Sequence, residues 1–194
     1  MFVLERNMIN SISFGAKKIG TTNVLKLSGN EYLPYSADVV KLNLNRVSDF
    51  RKFLQIKDNW NTYIIEKMYQ ICTSISLHFI KKQNIFIISE PQKYGKNDFF
   101  DPAKVLGITL FEQFPLRKYN VLTILQTNPK YKFGTKNSKF KHIGQSLFDF
   151  LKNTFNKKAF KLESSDEGRN FYIKNGLKIS GKNFIWEGTN KVLI

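Results

Sequence analysis

Between Thr123 and Gly176 the chain switches between strand and helix periodicity in a fixed order, and few folds accommodate that order. Thr123-Ile-Leu-Gln-Thr127 has too little alternation for an edge strand and reads as a strand buried on both faces. A lysine-rich turn leads into Lys139-Phe-Lys-His-Ile-Gly-Gln-Ser-Leu147. There the spacing becomes helical: Ile143, Leu147, Phe150, Leu151 and Phe155 build one apolar stripe, while Lys152, Asn153 and Asn156 face away. Phe160–Glu163 reads as a second strand. Ser165 or Asp166 then caps a shorter helix, which Asn175-Gly176 ends in the left-handed position that glycine adopts without strain. A helix entered from a basic turn presents free backbone N–H groups, a ready-made phosphate site. Two strands that splay as they feed two such helices leave a slot between them.

The remaining segments extend a sheet around this unit. Asn23–Leu27 and Val39–Leu44 alternate apolar and polar residues and read as an antiparallel pair joined by a wide loop containing Gly29-Asn30 and Pro34. Ser48 is placed to cap a short helix burying Phe50, Phe53 and Leu54. A longer helix follows, with Ile64, Ile65, Met68, Ile71, Cys72, Ile75 and Phe79 on its apolar stripe. Ile85–Ser89 is a short buried strand, and residues 90–103 are a polar loop. Val105–Phe114 and Tyr119–Thr127 form a hairpin across Pro115, and Leu177–Ile179 with Asn183–Trp186 form another across Ser180-Gly181. Residues 1–22 lack a clear period and read as a partly ordered arm; 23–194 read as a single domain.

Composition narrows the setting. The longest purely apolar run is Ile85–Ile88, so no transmembrane helix is expected, and the N-terminus lacks the pattern of a secretory signal. Cys72 is the single cysteine, which excludes an intrachain disulfide and fits a cytoplasmic location. On the helical stripe it reads as a small core residue. His78 has no companion at ligand spacing, and no metal site is expected. The net charge of +16 comes almost wholly from lysine, and Lys, Asn, Ile and Phe are abundant together, as an AT-rich genome would produce. The lysines between Lys130 and Lys161 nevertheless share a stretch in which Asp149 is the only acid. Such a local field attracts polyanions, whether cofactor phosphates or RNA.

The same residues resemble the GCN5-related N-acetyltransferase family, most clearly over about residues 104–186 and more weakly over 38–90. In that family a strand–loop–helix unit carries Gln/Arg-x-x-Gly-x-Gly/Ala, whose amides hold the pyrophosphate of acetyl-CoA. Lys139-Phe-Lys-His142-Ile143-Gly144 matches its last glycine, with Lys139 in place of Gln or Arg and His142 in place of the first glycine. Ser165-x-x-Gly168-x-x-x-Tyr172-x-x-x-Gly176-Leu177 is similar to the family's Asn-x-x-Ala-x-x-x-Tyr-x-x-x-Gly-Phe. The resemblance implies an α+β fold: a mixed, mostly antiparallel sheet of six to seven strands flanked by about four helices. It also implies acetyl-CoA as cofactor, bound by Leu125, Gln126 and Thr127 on the central strand, by Lys139, Lys141, His142, Ile143, Gly144 and Gln145 at the phosphate turn, and by Ser165. Tyr172 matches the hydroxyl that protonates the leaving thiolate.

Acetyl transfer needs a neutral amine, hence a route for its proton. Glu112 is the first candidate base because it lies at the end of the strand before the central one; Glu163 and Glu90 stand behind it. The expected activity is acetyl-CoA-dependent N-acetylation of a primary amine. The sequence does not specify the acceptor or the oligomeric state. A catalytically silent module of the same fold stays open, as does an RNA- or ribosome-binding protein, including a toxin that acetylates aminoacyl-tRNA.

Overall fold

The computed structural model describes residues 16–74, 82–92, 101–131, 138–155 and 158–188, the side chain of Glu167 excepted. Its elements are β1 (Lys17–Ser28), β2 (Glu31–Leu42), α1 (Val47–Trp60), α2 (Tyr63–Thr73), β3 (Lys82–Ser89), β4 (Val105–Gln113), β5 (Asn120–Thr127), β6 (Phe140–Lys141), α3 (Ile143–Thr154), β7 (Phe160–Glu163), α4 (Asp166–Lys174), β8 (Lys178–Ser180) and β9 (Asn183–Trp186). The strands form one sheet in the order β6-β1-β2-β3-β4-β5-β7-β9-β8. Every neighbouring pair is antiparallel except β5 with β7. This is the expected α+β architecture with four helices among the described residues. The sheet has nine strands against six or seven expected, and the two-residue β6 is too short to leave a legible pattern.

Helices cover both faces. Phe53, Ile56 and Trp60 of α1 and Ile65 and Met68 of α2 pack on Val40, Ile85, Ile87, Ile108, Leu110 and Ile124 of the sheet. Leu147, Phe148 and Leu151 of α3 pack on the opposite face, against Phe86, Phe111, Leu122 and Phe160 in one part and Val39 and Ile88 in another. Each such fully buried side chain contributes about 1.5–3 kcal/mol relative to exposure, which fixes α3 as a rigid body on the sheet.

Several expectations shift. Residues 17–22, read as an arm, form the first part of β1 and pair with residues 37–41; residues 1–15 lie outside the described set. The wide loop between β1 and β2 is a tight turn at Gly29-Asn30, with Gly29 at φ 62°. Pro34 sits inside β2 without penalty, because β3 reaches only from Asp38 to Leu42 and the missing N–H costs no ladder bond. α1 buries Asp49, Phe53, Ile56 and Trp60 rather than Phe50 and Leu54. Asp49 is useful there because its Oδ2 accepts the Asn43 N–H at 2.8 Å. Asn61 stops α1 at φ 42°, and Thr62 caps α2 by accepting the Ile65 N–H. Ile75 and Phe79, placed on the helical stripe, and His78 lie outside the described residues.

Candidate functional site

β5 and β7 run side by side for only two residue pairs, Asn120 with Phe160 and Val121 with Lys161, and then part. The ladder to β4 shows which β5 groups face the gap. The Asn128 N–H bonds the Leu106 carbonyl at 2.8 Å, so the pairs two and four residues back along β5 also bond to β4. Gln126 and Ile124 therefore spend their backbone groups on β4, and those of Leu125 and Thr127 point toward the parting strands. Thr123 is the extra residue of a β-bulge, since Leu110 pairs with Ile124 and Phe111 with Leu122.

The parting leaves a crevice of about 410 Å³. Leu122, Thr123, Ile124, Leu125 and Thr127 of β5 line it, with Gly144 of α3 and with Ser165, Gly168 and Tyr172. Tyr63, Ile64 and Lys67 of α2 border it from the other face of the sheet.

The α3 N-terminus opens onto this crevice. Its first intrahelical bond runs from the Ser146 N–H to the His142 carbonyl, and no side chain caps the turn. The N–H groups of Ile143, Gly144 and Gln145 are thus the uncapped donors of the helix. Added carbon at Gly144 would stand 3.5 Å from Leu125 Cδ2 and 3.6 Å from Thr127 Oγ1, so the glycine keeps backbone and slot in direct contact. His142 holds φ 62° and ψ 15°, the left-handed conformation for which a glycine is the usual choice. Its side chain is exposed and does not plug the turn.

Tyr172 projects from α4 between Phe148, Phe171 and Phe184, with ring centroids at 5.6, 5.0 and 5.9 Å. Its hydroxyl has no hydrogen-bond partner among the described residues. Burial pushes the phenol up to about 12, so it stays protonated and able to donate. Ser165 spends its Oγ on the Gly168 N–H at 3.4 Å, as the cap of α4, while bordering the crevice.

The structure thus brings Leu125, Thr127, Gly144, Ser165 and Tyr172 together at one crevice, with the Ile143 and Gln145 amides beside them. Other candidates are engaged elsewhere. The Ile143 side chain is core. Gln145 pairs reciprocally with Asn175, at 2.6 and 3.0 Å, and ties α3 to α4. Gln126 is buried and donates to Thr62 Oγ1 at 2.7 Å. Lys139 pairs with Glu90 at 3.3 Å, and Lys141 lies 3.8 Å above the Tyr32 ring, both drawn toward the β1–β2 hairpin because β6 pairs with β1.

Glu112 is buried and does not border the crevice; its oxygens accept from Gln83 Nε2 at 3.2 Å and Thr123 Oγ1 at 2.7 Å. Thr123 does border it, as does the exposed carboxylate of Glu163. Sequence reasoning missed Thr123, whose exposure to the crevice depends on a bulge that leaves no compositional trace. It missed Gly107 as well, where a Cβ would meet Ile143 Cγ2 at 2.7 Å and Leu147 Cδ1 at 2.9 Å. Among the described residues no group of three or more His, Cys, Asp or Glu could hold a metal ion. No described helix is long and apolar enough to cross a membrane.

No family model matches the chain, and no curated protein matches it. Among solved structures it is similar to the crystal structure of PaiA N-acetyltransferase from Thermoplasma acidophilum in complex with coenzyme A. The identity is 16%, over 78% of this chain and 98% of that one, with a TM-score of 0.45. A likeness that distant carries no weight for chemistry.

Proposed function

We propose that the chain is an acetyl-CoA-dependent N-acetyltransferase acting on a primary amine. The reading rests on one juxtaposition: Gly144 in the uncapped first turn of α3, the free backbone edge of β5 and a protonated phenol border a single crevice. The residues fit the cofactor by chemistry. The Ile143, Gly144 and Gln145 N–H groups suit a diphosphate at the positive end of a helix. The edge of Leu125 and Thr127 suits an extended chain of amides, which pairs with it as a short strand would.

When bound, acetyl-CoA supplies an acetyl group activated as a thioester. Tyr172, which holds its phenolic proton at the crevice, would be the acid for the departing thiolate. The attacking amine must lose a proton, and Thr123 provides the route: its Oγ, whose own proton already points at Glu112, accepts one from the amine side while Glu112 takes the other. Glu112 then acts through Thr123 rather than by touching the acceptor.

Isothermal titration with CoA tests the cofactor assignment. Wild-type protein should bind saturably, and Gly144→Glu, which puts a carboxylate beside the phosphate position, should weaken binding at least tenfold. Absence of binding by the wild-type chain removes the proposal. The engagement of both Glu112 oxygens within the protein favours a second reading, a silent binding module. CoA binding with no acetylation across a broad amine panel would select it.

A further inference from the structure

A second concavity, of about 450 Å³, lies at the opposite end of β5, between the β4–β5 connection and the end of α3. Lys82, Gln113, Phe114, Asn120, Phe155 and Lys158 are among the residues that line it. Apart from the Thr154 hydroxyl, its polar side chains are left with unspent donors, and the reason can be followed atom by atom. The Lys41 ammonium can only donate, so Asn84 must turn its Oδ1 to it, at 3.0 Å. That directs Asn84 Nδ2 to Gln113 Oε1, also at 3.0 Å, and leaves Gln113 Nε2 unspent. Asn120 Oδ1 accepts the Phe114 N–H at 3.3 Å, which leaves Asn120 Nδ2 over in the same way. Lys158 gives one of its three N–H groups to the Phe114 carbonyl at 2.6 Å. Lys82 Nζ has no acceptor among the described residues, and the Arg117 guanidinium sits 4.5 Å over the Phe114 ring.

No carboxylate lines the concavity among the described residues. Elsewhere Lys18, Lys57, Lys139, Lys152 and Lys178 each reach an acid. Asn84 also stands out in its strand: it is buried polar, followed by the apolar run Ile85–Ile88, and besides this network its Nδ2 reaches the Lys82 and Phe111 carbonyls at 3.3 and 3.5 Å. Burial first, and the charge of Lys82 after it, pushes Lys41 below its ordinary value.

We propose that this concavity is a second binding site, distinct from the β5–β7 crevice, for the phosphate group of a small anionic ligand. Lys82 and Lys158 supply charge, Gln113 and Asn120 supply directed N–H donors, and Phe114 and Phe155 give an apolar wall for the remainder of the ligand. It is independent of the acetyltransferase reading, because it shares no residue with the crevice.

The test is isothermal titration with sodium pyrophosphate at matched ionic strength, on wild-type protein and on Gly144→Glu, in which the crevice repels phosphate. The expected result is one saturable site in Gly144→Glu. Its affinity should fall at least tenfold with Gln113→Glu and with Lys82→Gln, an exposed change that leaves folding intact. Lys174→Gln, remote on α4, should leave it unchanged. No binding in either background overturns the proposal. Equal weakening by Lys82→Gln and Lys174→Gln also overturns it, because the protein would then be a diffuse basic surface.

Discussion

His142 holds a left-handed conformation that costs a residue with a Cβ about 1–2 kcal/mol, yet its imidazole faces solvent. His142→Gly should therefore leave stability within about 1 kcal/mol of wild type, strain relief being offset by the freer unfolded chain. Chemical denaturation checks this, and a loss above about 2 kcal/mol would show that the imidazole makes a contact worth more than the strain. CoA affinity should hold or improve. Tyr172 gives two measurements. Tyr172→Phe should lower kcat about 10²-fold while CoA affinity stays nearly constant, the signature of a proton donor; an unchanged kcat would reduce it to packing. Its raised pKa also has a sign in stability. The folded state holds the phenolic proton more tightly than the unfolded chain, so this contribution is complete below about pH 10 and is lost as pH rises toward about 12. Wild type should lose about 2–3 kcal/mol more than Tyr172→Phe across that interval, read by denaturation at each pH. Thr123→Val should reduce kcat without changing CoA affinity, whereas Thr123→Ser should restore most of it.

The α3 helix owes its position to Gly107, on a strand that offers no other room. A Cβ there would collide with Ile143 and Leu147, the residues that seat the first turns of α3. Gly107→Ala should cost about 1–3 kcal/mol in denaturant unfolding and weaken CoA binding by displacing the uncapped amides. Gly144→Ala meets only ordinary contact distances and should cost less than about 1 kcal/mol, so the two glycines separate packing from access. At this scale much was legible. The α3 stripe gave Ile143, Leu147 and Leu151 because one helix face against one sheet has a single period. The hairpin of β4 and β5 and the turn at Gly181, with φ 59°, followed from local chemistry. Burial of Phe148 and of Asp49 did not, since each depends on what arrives from another element: Phe160 and Phe171 at the first, the Asn43 amide at the second. The lysines of the phosphate turn were placed by resemblance to a family motif, and a motif cannot show that β6 pairs with β1 and carries Lys139 and Lys141 toward Glu90 and Tyr32.

Across the whole molecule, the parting of β5 and β7 makes a gap in the sheet between two helical layers, and the strand at that gap has one bonded and one open edge. β5 is eight residues long and fourth from its nearer end counting β8 and β9 inward through β7, so its central place alone would predict uniform protection of its amides. The ladder predicts alternation instead. The Ile124 and Gln126 amides, bonded to β4, should exchange slowly, at rates set by global unfolding. Those of Leu125 and Thr127, turned to the crevice, should exchange faster although their neighbours in sequence are protected. Adding CoA should slow these two and leave Ile124 and Gln126 unchanged, because a ligand pairing along the open edge supplies the acceptors that β7 withholds. Hydrogen exchange followed residue by residue makes the measurement. Uniform protection along β5 without ligand would mean that the edge is closed in solution and that nothing can pair there. Slowing confined to Ile143, Gly144 and Gln145 would mean that the helix holds phosphate while β5 takes no part.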